Sequence, residues 1–237
     1  MRGRIAILGA LFVTAALELT PAPAHAQSLE RGWDAYLASR YSEAWRELKP
    51  LADRGNPDAQ YYIGTMVQHG HGTRAHARRA AEWYALAGRQ GHALALFALG
   101  FLLFYGGGDG EGEIYADPNA AAPWLLHAAQ RHVVPAQHLV GRMYRDGIGL
   151  PADPQKALEW TRRAAEVGMV PAQFDVGLLL ASQPGLDKAL EAYKWFELAA
   201  RAHHPGAAQN RDRLVERLNS QELRQARAMA DAWSPQR

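Results

Sequence analysis

The sequence predicts an all-α protein, a right-handed solenoid of stacked antiparallel helix hairpins. Three observations predict it. A short motif returns at near-constant spacing along most of the chain, small residues return at fixed offsets inside each copy, and each copy ends on a tryptophan followed four residues later by an alanine. Self-similarity at a period of roughly 20–50 residues marks architectures in which one supersecondary unit buries its apolar face only against its neighbours.

Taken in chain order, residues 1–26 read as a leader. Arg2 and Arg4 give a basic start, an apolar run extends from Ile5 to Leu17, and Thr20-Pro21-Ala22-Pro23 breaks the helix ahead of Ala24-His25-Ala26. The run is too short to span a bilayer comfortably, and a small-x-small site after a proline-rich approach predicts cleavage after Ala26. The expectation is an exported, periplasmic or secreted protein with no stable membrane insertion after processing. Residues 27–57 follow as a capping hairpin: Trp33, Tyr36, Tyr41, Ala44, Leu48 and Leu51 supply its apolar face, and Gly55-Asn56-Pro57 ends it.

The repeats occupy residues 58–205, in units of about 58–93, 94–134, 135–170 and 171–205. Asp58-Ala59-Gln60 returns as Pro135-Ala136-Gln137, Pro171-Ala172-Gln173 and Ala207-Ala208-Gln209, with Leu94-Ala95-Leu96 as a degenerate copy, so the alanines step by 36, 41, 36 and 36 residues. Five residues on stand Gly64, Gly100, Gly141 and Gly177. Glycine pairs follow at Gly70/Gly72, Gly106/Gly108 and Gly147/Gly149, then Trp83, Trp124, Trp160 and Trp195. A final break falls at Gly91 and Gly168, with His132 and His203 in the other two copies.

Each residue type has a physical reason to be there. A first helix is predicted from about Pro57 to His69, and its central Gly64 costs about 1 kcal/mol of helix propensity, justified by close approach of a neighbouring helix. The Gly-x-Gly turn supplies positive φ, and Asp153-Pro154 reads as an N-cap with proline at the first helical position. A second helix follows with Ala157, Trp160, Ala164 and Ala165 on one face. Each tryptophan is expected to wedge against the next hairpin. Residues 206–237 close the array: Leu223, Ala226, Ala230 and Trp233 form one apolar stripe on a helix starting near Ser220, against an otherwise polar surface.

The segment Ala136–Gly168 keeps Gly141, Tyr144, Gly147, Gly149, Asp153, Lys156, Ala157, Trp160, Ala164, Ala165 and Gly168 in one register. It resembles the Sel-one-like repeat family, a relative of the tetratricopeptide repeats, and the likeness runs from roughly residue 31 to the C-terminus. The copies depart from the pattern in two turns. His76 stands where an aspartate cap belongs, and Ser182-Gln183-Pro184-Gly185 replaces the fourth glycine pair; both turns are expected to be irregular.

Composition narrows the function. A formal charge of +2, about +1 without the leader, gives no strong attraction for nucleic acid. With no cysteine, disulfides cannot hold the fold. No Gly-x-Ser-x-Gly elbow, His-Glu-x-x-His helix or phosphate-cradling loop occurs, so no enzyme and no cofactor are expected. Residues 106–117 alternate carboxylates at Asp109, Glu111 and Glu113 but place Ala120 where a calcium loop needs glutamate, which makes a solvated loop the expectation. His69, His71 and His76, and the pair His203-His204, lie close together without the further ligands zinc requires.

Counting from the repeated alanine, offsets zero, four, five and eight pack inward and offsets three, six and ten face outward. The outward set is Tyr62, Thr65 and His69, then Ala98, Phe101 and Tyr105, then Leu139, Arg142 and Asp146. These are the candidate binding residues of a concave groove, the competing reading being that some of them pack between helices. The resemblance implies a monomeric adaptor, regulator or scaffold that binds a protein or peptide in the cell envelope, for instance a membrane sensor or assembly complex. Two alternatives belong to other classes: a β-lactam-binding or hydrolysing enzyme, a reading tied to a cysteine-rich branch of the family, and a peptidoglycan- or glycan-associated structural protein.

Overall fold

The computed structural model describes residues 24–108 and 112–236. The predicted leader lies outside the described residues except for Ala24–Ala26, which open the first helix. Among the described residues twelve helices follow one another: α1 (Ala24–Leu37), α2 (Tyr41–Asp53), α3 (Pro57–His69), α4 (Ala77–Arg89), α5 (Ala93–Tyr105), α6 (Pro118–Gln130), α7 (Val134–Asp146), α8 (Pro154–Glu166), α9 (Val170–Ala181), α10 (Leu186–Arg201), α11 (Ala207–Val215) and α12 (Ser220–Asp231). Each helix from α1 to α10 packs on the helices before and after it, while α11 and α12 both fold back onto α10. The result is a solenoid of stacked hairpins: α1/α2 first, then α3/α4, α5/α6, α7/α8 and α9/α10, with α11 and α12 closing the far end. No described helix is long and apolar enough to cross a membrane.

Inside each hairpin the glycine at offset five lets the two helices touch. A Cβ on Gly64 would lie 2.7 Å from the Tyr84 ring, one on Gly100 2.7 Å from Leu125, and one on Gly177 2.6 Å from Phe196. On Gly141 it would meet the Thr161 hydroxyl first and backbone close behind it, 3.0 Å from the Thr161 nitrogen and 3.2 Å from the Ala157 carbonyl. The knob in every glycine hole is therefore the residue after the tryptophan. Two of the tryptophans look backward across the seam between hairpins: the Lys49 ammonium of α2 sits 5.4 Å from the Trp83 ring centroid, and Trp124 lies 3.4 Å from the Cβ position of Gly88 on α4, whereas Trp195 meets Trp233 of the C-terminal cap edge-on at 6.2 Å. The expected wedge against the next hairpin is thus reversed for Trp83 and Trp124.

The glutamine after the repeated alanine ties hairpins together. Gln60, Gln137 and Gln173 are buried and donate Nε2 to the carbonyls of Ala52, Ala129 and Ala165 at 3.2, 3.3 and 3.4 Å, each a second donor to a carbonyl at the end of the preceding helix that already accepts the N–H of Gly55, His132 or Gly168. In the second unit Leu96 takes that place and packs over Gly88 instead.

The turns inside the hairpins close on one shared bond. The backbone N–H groups of His76, Asp117 and Asp153 donate to the carbonyls of Val67, Leu103 and Tyr144, each eight residues after its repeated alanine. His76 does this as well as an aspartate and caps α4 through Nδ1, which accepts from the Arg79 N–H at 3.2 Å, so the irregular turn expected there does not occur. The five-residue insertion of the second unit leaves the shared bond intact because its ends pair across a single bridge, Gly107 with Ile114. The fourth unit is irregular as expected: Gly185 takes φ +116°, and α10 starts with no side-chain cap.

Between repeats, Gly91 and Gly168 adopt φ +86° and +99°, and His132 and His203 are held at +61° and +59° in the same turns. The left-handed region costs a Cβ-bearing residue roughly 1–2 kcal/mol. His132→Gly and His203→Gly are each expected to raise stability by about 1 kcal/mol, measured as an upward shift of the thermal midpoint; an unchanged or lower midpoint would sink that account of the turn.

Candidate binding face

The first helices of the four repeats, α3, α5, α7 and α9, form one continuous face. At its N-terminal end the ring of Tyr62 packs 4.7 Å from Trp33 and 6.1 Å from Tyr36, both on α1. Burial, together with Tyr61, Asp58 and Tyr36 nearby, pushes the Tyr62 hydroxyl above the usual tyrosine range, so it acts as a donor at neutral pH. Thr65 spends its hydroxyl on the Tyr61 carbonyl at 3.0 Å, and His69 is exposed at the helix end.

On α5 the face becomes an aromatic ladder. Phe97 and Phe101 lie 5.7 Å apart, Phe101 and Tyr105 4.7 Å, and Phe104 and Tyr105 4.8 Å, centroid to centroid. Phe101 and Tyr105 remain 45% and 48% exposed, which for such large apolar rings leaves an area that a partner could cover. Ala98 packs against the core. Leu139, the equivalent position on α7, is 5% exposed and belongs to the core, which corrects its assignment to the outward set.

Beyond the ladder the face turns polar. His138 Nε2 and Asp175 Oδ2 are 2.7 Å apart and join α7 to α9, and Arg145 reaches Asp175 at 3.3 Å and Asp146 at 2.8 Å. The Arg145 guanidinium holds the Asp146 carboxyl below the usual carboxylate range. Arg142 is half-buried and has no ion pair among the described residues. Four residues that sequence reasoning missed share this face, all at offset two: Tyr61, Phe97, His138 and Phe174. A signal for them existed, since Phe97, Phe101 and Tyr105 repeat every four residues and so form one helical stripe.

The histidine cluster serves structure. His71 stacks on Tyr41 at 4.2 Å, His76 uses Nδ1 as a helix cap, and His204 stacks on Phe174 at 4.3 Å. No group of three or more His, Asp or Glu among the described residues could hold a metal ion. Asp109 and Glu111 of the inserted loop lie outside the described residues.

His92 links the face to pH. Its Nδ1 accepts from the Ala95 N–H at 3.0 Å and caps α5, while Nε2 lies 3.3 Å from Asp58 and the ring stacks on Tyr61. Burial lowers its pKa from 6.5, against the opposing pull of Asp58. A base with a depressed folded-state pKa binds its proton more readily in the unfolded chain, so the stability it lends near neutrality is lost as pH falls through the ordinary histidine range. His92→Asn keeps an acceptor for the cap and removes the titration. The slope of the urea midpoint between about pH 7 and 5 is expected to flatten in that variant, leaving the part that His69, lowered by burial and by His71, contributes with the same sign.

Comparison with known proteins places this architecture. The Sel1 repeat family model matches four successive segments, residues 57–92, 93–132, 134–169 and 170–204. A Sel1 repeat protein from Oxalobacter formigenes is 31% identical, with a TM-score of 0.67 over 76% of this chain and 72% of that one. A protective antigen of uropathogenic Escherichia coli strains that displays an SLR fold gives a TM-score of 0.73 at 24% identity over 87% of this chain; the match spans 44% of the antigen's own length. No curated protein sequence matches the chain.

Proposed function

The chain belongs to the Sel1 repeat family, and from that premise we propose that it is a non-catalytic scaffold of the cell envelope which binds a segment of a partner protein on the face of α3, α5, α7 and α9. Sel1 repeat proteins are in general interaction scaffolds without enzymatic activity. The observation that carries the reading is the aromatic ladder of α5. Phe101 and Tyr105 stay about half exposed, although the apolar residues beside them on the same helix, Leu99 and Leu102, are buried. Residues kept large and apolar at a solvent-facing position fit recognition better than stability. Export through the leader would put this face in the periplasm, where a cysteine-free solenoid holds together by packing alone.

A photoreactive residue at Phe101 in the native host, with Glu82 on the exposed side of α4 as control, tests this. One envelope protein captured repeatedly at Phe101 and not at Glu82 is the expected result. Phe101→Ala combined with Tyr105→Ala should remove a partner so identified at least tenfold in affinity, about 1.4 kcal/mol, while leaving the thermal midpoint in place. Equal capture at both positions, or none, would overturn the reading.

A further inference from the structure

We infer that the cavity at the edge of the third hairpin, where α7 begins and α8 ends, binds the carboxamide of a glutamine side chain presented by a partner protein. It shares no residue with the aromatic ladder, so the inference stands whether or not that face binds anything. The cavity measures about 360 Å³ and is lined by Val134, Gln137, Arg163 and Val167 and by Gln236 of the C-terminal tail, whose N–H donates to the Glu166 carbonyl at 2.8 Å. Gln137 is 3% exposed, and its carboxamide is only half used. Nε2 donates to the Ala129 carbonyl, which settles which end is which, while Oε1 has no hydrogen-bond partner among the described residues. A buried acceptor left unpaired is a standing cost that a donor from outside relieves.

The first unit shows what fits. There Gln60 makes the same Nε2 bond to the preceding helix, and its Oε1 is served by the carboxamide of Gln90, whose Nε2 donates at 2.9 Å. Gln90 follows α4 and precedes the positive-φ Gly91; the residue in that register, between α8 and Gly168, is Val167. Valine offers no donor, and the space of the missing carboxamide stays open. The fourth unit repeats the exchange, since Ala202 follows α10 in the same place and lines a cavity of about 450 Å³ together with Gln173. A carboxamide from outside would restore the pair at Gln137. Its oxygen finds a donor as well, because Arg163 spends one N–H on Glu159 and a guanidinium carries five. An ion fits less well. The walls hold one guanidinium, one carboxylate and one imidazole, at Arg163, Glu166 and His132, and burying a charge against a neutral amide is costly.

Titration of the isotope-labelled chain with N-acetylglutamine methylamide, followed by nuclear magnetic resonance, tests the inference, with the correspondingly blocked methionine and glutamate as controls of similar length. Saturable shifts of the Gln137 side-chain amide and of the Val134 and Val167 backbone amides are expected, with glutamine bound at least tenfold more tightly than either control. Gln137→Leu should abolish that preference and still fold, since the second unit carries Leu96 in the same place. Val167→Gln should supply the missing donor from within, abolishing binding and raising the thermal midpoint by about 2–4 °C, as one added hydrogen bond does in a chain of this length. Methionine bound as tightly as glutamine would make the cavity merely apolar and overturn the inference, as would a midpoint in Val167→Gln at or below the parent's. Binding at least tenfold tighter in Gln236→Ala would make the chain's own tail the occupant and overturn the assignment to a partner. No saturable shift with any of the three probes would overturn it too, while capture at Phe101 in the host would still decide the scaffold reading.

Discussion

Trp195→Ala is expected to destabilise the protein by about 3–5 kcal/mol, the range for removing a fully buried tryptophan. The ring is 1% exposed and lies in the core cluster that joins Ala164 and Ala165 of α8 to α9 and α10. It also organises charge around itself. Nε1 donates to Glu191 at 3.3 Å, Glu191 pairs with Arg162 of α8, the Lys194 ammonium sits 4.2 Å from the ring centroid, and Trp233 meets the ring edge-on at 6.2 Å. Truncation would therefore leave a cavity at the seam where the C-terminal cap docks. Trp83, half-buried at the equivalent position, has less to lose, and Trp83→Ala should cost roughly half as much because the apolar area withdrawn from water is smaller. Urea denaturation followed by far-ultraviolet circular dichroism reads both. A loss below about 1 kcal/mol for Trp195→Ala, or equal losses for the two variants, would remove the seam tryptophan from its structural role.

The sequence makes the ends of elements easier to read than their contacts. The bounds of α3 and the start of α12 at Ser220 follow from local chemistry: a proline after Asn56, a glycine pair after His69, and an Asn219–Glu222 capping box. Such signals need no knowledge of the neighbour. The glycine holes were legible as close approaches, but their occupants were not, because Tyr84, Leu125, Thr161 and Phe196 share no chemistry and stand beside a more conspicuous tryptophan. The glutamine bonds were hidden for a related reason, since Gln60 reaches a carbonyl of the preceding hairpin and no spacing within its own unit announces it.

The binding face shows the same limit in angular terms. At about 100° per residue, offsets two and ten each lie about 40° from offset six, whereas offset three lies about 60° away. The stripe centred on Phe101 and Arg142 therefore extends to Phe97 and His138 more readily than to Ala98 and Leu139. Leu139 duly sits in the core at 5% exposure. Tyr62, also at offset three, stays partly accessible because α1 supplies Trp33 and Tyr36 as flat partners at the open end of the array. The sequence contains the periodicity that separates these cases; what it lacks is the position of the next helix, which decides whether a residue at the margin of a stripe is covered.

Gly141→Val is expected to cost about 3 kcal/mol or more, at the upper end of overpacking, and to do so in a way that no side-chain change relieves. At all four glycine holes a side chain is met first: the Tyr84 ring at Gly64, Leu125 at Gly100 with its backbone nitrogen 3.2 Å away, the Phe196 ring at Gly177 and the Thr161 hydroxyl at Gly141, but only at Gly141 do two backbone atoms stand close behind it. A smaller partner can make room at Gly177, so Gly177→Ala should be largely rescued by Phe196→Leu. At Gly141 the Thr161 nitrogen and the Ala157 carbonyl stand 3.0 and 3.2 Å from the new Cβ, and backbone can yield only if α7 and α8 part along their length. Thr161→Ala removes the hydroxyl and leaves both backbone atoms in place, so the double variant should recover little. Because repeat arrays unfold as coupled neighbours, parting α7 from α8 in the third of four repeats should also split one cooperative transition into two, one for each side of the damaged hairpin. A single sharp transition in Gly141→Val, or full rescue by Thr161→Ala, would show that this hairpin closes through side chains like the others.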